Sequence, residues 1–184
     1  MNADRTVRDL ALLDALDACS REAFEGSAWR IVREGRDPLQ GGPSGARWDP
    51  GTFDVLYAAL TRDGALTEIH FHLSRQPVFP SNTRFILSEI TVRVRDVLRL
   101  PDLPMLERLG VERGRYVELI YTRTQAIGDA AQFLGFSGLI VPSARWRGLN
   151  LVLFTDTLAP DALSIQSRET IDWAAWRQER TIEG

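Results

Sequence analysis

The sequence predicts an α+β fold: a single domain with a twisted, mixed β-sheet core and flanking helices. Three observations carry this. The chain has 184 residues, about the length of one domain, and 44% of them are hydrophobic, enough for one core. Apolar side chains recur at helical spacing in some stretches and at period two in others. No internal repeat or low-complexity linker divides the chain.

The elements follow in order. Val7, Leu10, Leu13 and Leu16 predict a helix from about Thr6 to Phe24, with Thr6 and Asp9 as a capping pair. It forms an N-terminal extension, residues 1–27, packed on the domain proper, 28–184. Ala28–Val32 reads as a short strand with Trp29 and Ile31 on one face, Arg30 and Val32 on the other. From Arg33 to Thr52 five glycines and three prolines predict a long irregular loop, a rare feature that tends to be functional. Val55–Ala58 reads as a buried strand. Ala65, Leu66, Ile69 and Leu73 stripe a helix over Asp63–Leu73. Ile90, Val92 and Val94 alternate with polar residues in a strand over Ile86–Val97. A short helix runs to Leu109. Tyr116–Tyr121 is a strand or a turn into the next helix, Thr124–Leu134, which Gly135 ends. Leu139–Val141 and Leu149–Phe154 are strands separated by the loop Pro142–Gly148. The tail from Ser164 is polar, with Trp173 and Trp176 at helical spacing.

Composition removes several kinds of chemistry. The net charge of −3 offers no basic footprint for nucleic acid or a membrane surface. All 22 basic residues are arginines, so no lysine can form a Schiff base, and any phosphate must be held by arginine or backbone amides. Cys19 is the only cysteine, so an intrachain disulfide is impossible. No secretory signal and no run of about 18 apolar residues is seen, and a reducing cytoplasm is the expected location. The only histidines are His70 and His72, so a zinc centre would lean on carboxylates, and no metal is expected.

What remains points to the frame of the glycine-rich loop. It is neither a Walker loop nor a dinucleotide fingerprint, since both spacings are absent. Arg30 precedes it, Arg47 and Trp48 lie within it, Tyr57 follows it, and Glu68 comes on the next helix. Arginine grips a diphosphate with parallel hydrogen bonds, tyrosine or tryptophan stacks on a flat heterocycle, and a lone carboxylate faces a developing cation. Each residue also has a structural reading: a solvated edge for Arg30, a loop salt bridge for Arg47, core for Trp48 and Tyr57, an exposed helix face for Glu68. Ser143 lacks a nucleophile elbow, and reads as a hydrogen-bond donor or a turn former.

The joint pattern resembles the RES-domain family, named for an Arg, a Glu and a Ser. Ala28-Trp29-Arg30 gives the arginine. Gly45-Ala46-Arg47-Trp48-Asp49-Pro50-Gly51 is similar to G-x-R-W-N-x-x-G, with Asp49 where the pattern has Asn. Val55–Ala59 resembles the family's tyrosine strand, and Ala65-Leu66-Thr67-Glu68 its A-L-x-E. Gly135–Arg145 with Asn150 matches its late G-F…P-S-A-R…N segment. The likeness spans about Ala28 to Phe154.

The resemblance implies an ADP-ribosyltransferase-like fold that binds NAD⁺ in its cleft. It implies the toxin of a bacterial toxin–antitoxin pair, blocked by an Xre-like helix-turn-helix antitoxin. Its activity would be destruction of NAD⁺ by phosphorolysis or hydrolysis. NAD⁺ is then substrate, inorganic phosphate a candidate co-substrate, and no cofactor is expected. Glu68, Arg47 and Tyr57 would be catalytic. Arg30, Arg47, Trp48, Tyr57, Ser143 and Asn150 would bind the nucleotide. Two other readings stay open: a mono-ADP-ribosyltransferase acting on a protein, and an inactive binding module.

Overall fold

The computed structural model describes residues 7–182. The first helix, α1, spans Leu10–Asp17 and is capped by Asp9, whose carboxylate accepts from the Ala11 and Leu12 amides. It is therefore shorter than the helix expected over Thr6–Phe24, and Thr6 lies outside the described residues. Residues 22–33 form β1 (Glu22–Arg33) instead. They gain a long antiparallel partner, β3 (Phe85–Arg99), running from Glu22 opposite Val97 to Arg33 opposite Phe85. A ladder of this length outweighs the local helical pattern, which buries only Leu12 and Leu16.

The other elements are β2 (Val55–Ala59), α2 (Arg62–Ser74), α3 (Leu103–Arg108), α4 (Thr122–Phe133), β4 (Gly138–Pro142), β5 (Leu149–Phe154), β6 (Leu163–Thr170) and α5 (Trp173–Ile182). β6 corrects the reading of the chain from Ser164 as a polar tail. Its outer residues are exposed, and backbone pairing along the edge of β3 holds it. Tyr116–Tyr121 is a turn into α4.

The six strands run β1-β2-β5-β4-β3-β6, and β1 also pairs with β3, so the sheet folds back on itself. β4 is parallel to β3, and all other pairs are antiparallel. One apolar cluster fills the inside of this fold, joining Ala28, Ile90 and Val92 to Leu56, Ile140 and Leu151. A second lies between the opposite face of β2, β4 and β5 and helices α1, α3 and α4. A third packs α2 and α5 on Ile31, Phe85 and Leu87. β1 and β2 touch at one register pair, Trp29 opposite Ala59. The strands part there, and the split opens a cleft roofed by α2. No helix among the described residues is long and apolar enough to cross a membrane.

Candidate active site

The cleft encloses about 350 Å³ and is lined by β1, β2, α2, the glycine-rich loop, and the turn after β4. Glu68 stands on its α2 wall. Thr61 caps that helix by accepting from the Gly64 amide at 3.1 Å. A side chain at Gly64 would press on Thr61 and on Trp146 of the turn after β4, so its bareness lets that turn close on the helix.

The turn delivers Ser143. Its hydroxyl donates to Glu68 Oε1 and accepts from the backbone N–H groups of Arg145 (3.0 Å) and Trp146 (2.9 Å). Its lone pairs are thus occupied and its proton is committed, which is the geometry of a positioning group and not of a nucleophile. Ser143 is both the donor and the turn former. Asn150, on β5, donates to the same Glu68 oxygen at 3.0 Å. Both protein hydrogen bonds fall on Oε1, so Oε2 is left for a ligand in the cleft.

The glycine-rich loop is organised by Asp49, which is fully buried. Its carboxylate accepts from the amides of Ser44, Gly45, Ala46 and Gly51 and from the Ser44 and Tyr57 hydroxyls. Burial alone would raise its pKa, but these donors prevail and hold it below the usual carboxylate range. The charge at this position is consumed inside the loop and does not face the cleft. Burial beside Asp49 pushes the Tyr57 phenol well above its ordinary value. Tyr57 stays protonated, donating to Asp49 (2.9 Å) while accepting from the Trp48 amide (3.0 Å).

Asp49→Ala would strand these donors at a cost of about 2–4 kcal/mol of stability. Asp49→Asn keeps most of the acceptors and should cost less than half as much; urea melts of the two variants check the ordering. The carboxyl's folded pKa lies below its unfolded one. Its contribution is therefore present above the unfolded value of about 4 and is lost as pH falls through the folded value.

Arg47 projects from this loop between the rings of Tyr116 and Tyr121, with its guanidinium carbon 4.7 Å from each centroid. Nη2 donates to the Glu118 carbonyl at 3.2 Å, whereas Nη1 is buried without an acceptor. A buried cationic donor lacking a partner is costly, and an anionic ligand would satisfy it. Tyr116 also ties this wall to the Ser143 turn by donating to the Pro142 carbonyl at 2.6 Å.

Of the residues expected from sequence, the structure joins Glu68, Ser143 and Asn150 directly, and Arg47, Trp48 and Tyr57 through Asp49. Trp48 lines the cleft as wall, for the residue is 2% exposed and packed in the core. Arg30 stands apart. Its register partner Ser88 is buried, its strand neighbours Trp29 and Ile31 belong to the α2 side, and its Nη1 donates to the Pro38 (2.7 Å) and Gln40 (2.8 Å) carbonyls. In this structure its guanidinium braces the loop. The sequence reading missed Tyr116 and Tyr121, whose signal is faint: two aromatics six and one residues before a helix, far from the loop they flank. It also gave no role to Arg145, which lines the cleft. Among the described residues no three His, Cys, Asp or Glu side chains converge as a metal site.

Comparison with known proteins adds a second line. The RES domain family model matches residues 27–177. A protein of Mycobacterium tuberculosis, the NAD(+) phosphorylase MbcT, is 26% identical over 176 residues, spanning 89% of this chain and 91% of that protein. The MbcT of Mycobacterium bovis matches to the same extent. The crystal structure of the M. tuberculosis MbcT–MbcA toxin–antitoxin complex shares the fold. Its TM-score is 0.83 at 24% identity, over 94% of this chain and 98% of that one.

Proposed function

Because the chain belongs to the RES-domain family, we propose that it breaks the nicotinamide–ribose bond of NAD⁺ and serves as the toxin of a toxin–antitoxin pair. The observation that carries this is the state of Glu68. It is a carboxylate oriented through one oxygen by Ser143 and Asn150, with the other oxygen open to a cleft that also holds the unsatisfied Nη1 of Arg47. The second carboxylate nearby, Asp49, is spent on its own loop. A cleft with one usable carboxylate and excess guanidinium suits a ligand with an anionic body and one cationic centre. NAD⁺, with its diphosphate and pyridinium, is such a ligand.

The chemistry follows from those charges. The glycosidic electron pair leaves with the pyridinium nitrogen, so nicotinamide departs neutral and needs no general acid. The ribose carbon becomes oxocarbenium-like, as in glycoside cleavage. Glu68 Oε2 stabilises that cation or holds the ribose hydroxyls. Arg47 grips the diphosphate. Tyr57, kept neutral, lines the nicotinamide side, and Trp48 backs it. Arg30 shapes the loop and adds positive potential beneath it. Inorganic phosphate is the acceptor, giving ADP-ribose 1″-phosphate, and the reaction uses no cofactor. The parentage of the fold reads as ADP-ribosyltransferase-like. The partner is a protein antitoxin, of Xre-like helix-turn-helix type, seated over the cleft.

Induced expression of the unmodified chain in bacterial cells tests this. Cellular NAD⁺ should fall before growth stops, and co-expression of the antitoxin should preserve both. Growth arrest with a constant NAD⁺ pool would overturn the reading.

A further inference from the structure

Glu68, Phe71 and His72 stand at i, i+3 and i+4 on α2 and so share one face. The guanidinium of Arg145 lies over the Phe71 ring, its carbon 3.6 Å from the centroid. Arg145 is therefore held about one helical turn from Glu68. Its backbone N–H is fixed by the Ser143 hydroxyl that also orients Glu68. Arginines elsewhere on this chain find carboxylates: Arg8 with Asp129, Arg62 with Glu169, Arg93 with Glu25. Arg145, half-buried at the cleft, has no carboxylate and no side-chain hydrogen-bond acceptor among the described residues. Its stacked face is covered while its N–H edge stays available.

Burial lowers its pKa and the charge of Arg47 lowers it further, while Glu68 acts the other way, so the two guanidiniums share one electrostatic field with a single carboxylate. One diphosphate on Arg47 leaves the second cation unmatched. A phosphate dianion, for its part, cannot approach Glu68 unaided, because the two repel. A cation beside the carboxylate removes that repulsion, and water as acceptor would not require one.

We propose that Arg145 forms the binding subsite for the acceptor phosphate and thereby selects phosphorolysis over hydrolysis. The inference rests on the reading of the cleft as an NAD⁺-cleaving site. An oxygen of HPO₄²⁻ held on the Arg145 edge forms the new bond to the anomeric carbon as the carbon–nitrogen bond breaks. The electron pair of that bond leaves with nicotinamide. The products are neutral nicotinamide and ADP-ribose 1″-phosphate, with no proton or electron unaccounted for.

The test is steady-state kinetics with NAD⁺ and phosphate varied separately, for the unmodified chain and for Arg145→Gln. Losing a charged donor should raise the KM for phosphate about tenfold or more. The KM for NAD⁺ should change by less than about twofold, and the product should shift from ADP-ribose 1″-phosphate towards ADP-ribose. Phe71→Leu keeps the guanidinium but removes its platform, and should raise the phosphate KM by about threefold. Inorganic phosphate alone should raise the melting temperature of the unmodified chain but not that of Arg145→Gln, which separates lost binding from lost folding. A phosphate KM unchanged in Arg145→Gln, or an equal rise in both KM values, overturns the subsite. Nicotinamide release by the unmodified chain that ignores phosphate overturns it too, while the NAD⁺ reading stands. No release under any condition overturns both.

Discussion

Glu68→Gln should lower nicotinamide release from NAD⁺ by at least about a hundredfold while leaving the melting temperature almost unchanged. The amide has the shape of the carboxylate, and its oxygen can still accept from Ser143 and Asn150. What disappears is the negative charge facing the cleft. Removing a group that stabilises developing charge costs on the order of 10²–10³ in kcat, because the stabilisation is realised only in the transition state. The KM for NAD⁺ should move little, since the grip proposed for Arg47 on the diphosphate is untouched. Ser143→Ala gives the companion result. It frees Glu68 and the turn amides together, and should lower turnover less than Glu68→Gln while costing some stability. A Glu68→Gln variant that keeps nearly the unmodified rate would mean that another group meets the cation.

The largest expected effect on folding lies away from the chemistry, at Gly128 on α4. A Cβ built there would sit 1.8 Å from the Trp48 carbonyl oxygen, a backbone atom that cannot swing aside. Gly128→Ala must push α4 off the loop or the loop off β2. Overpacking a rigid contact costs about 1–3 kcal/mol or more, and this overlap is severe, so a loss of about 3 kcal/mol is expected. The displaced loop carries Arg47 and is pinned to α4 by Gln125, which donates to the Gly45 and Ala46 carbonyls. Turnover should therefore fall with stability, and the KM for NAD⁺ should rise. Urea unfolding with parallel kinetics measures both. A stable, fully active Gly128→Ala variant would show that helix and loop separate freely.

The parts of this molecule legible in its sequence are those whose neighbours are dictated locally. The strands around Leu56, Ile140 and Val152 are buried on both faces and read as continuous apolar runs. The α2 stripe is read from Ala65 to Leu73. Residues 22–27 and 163–170 were not legible. Both are strand segments stabilised by pairing with β3, and for both that partner lies more than sixty residues away. Within the site, the helix carrying Glu68 and the character of its loop could be read from composition and spacing. The bond between Ser143 and Glu68 could not, because 75 positions separate them; only the family pattern set them side by side.

Asp49 makes the same point from the other direction. It stands where the family pattern has Asn and brings a charge to the loop, but its oxygens are turned inward on loop amides whose arrangement no periodicity encodes. Arg30 was legible as a cleft residue, yet its guanidinium is engaged by two loop carbonyls. Arg47 and Arg145, whose side chains meet no carboxylate, line the same cleft.

Everything proposed for this cleft depends on its severing the bond between nicotinamide and ribose. Chromatography of purified protein incubated with NAD⁺, with and without inorganic phosphate, tests it most directly. Free nicotinamide should appear stoichiometrically, with ADP-ribose 1″-phosphate as its partner when phosphate is present. Intact NAD⁺ after incubation with folded protein, in both buffers, would contradict it.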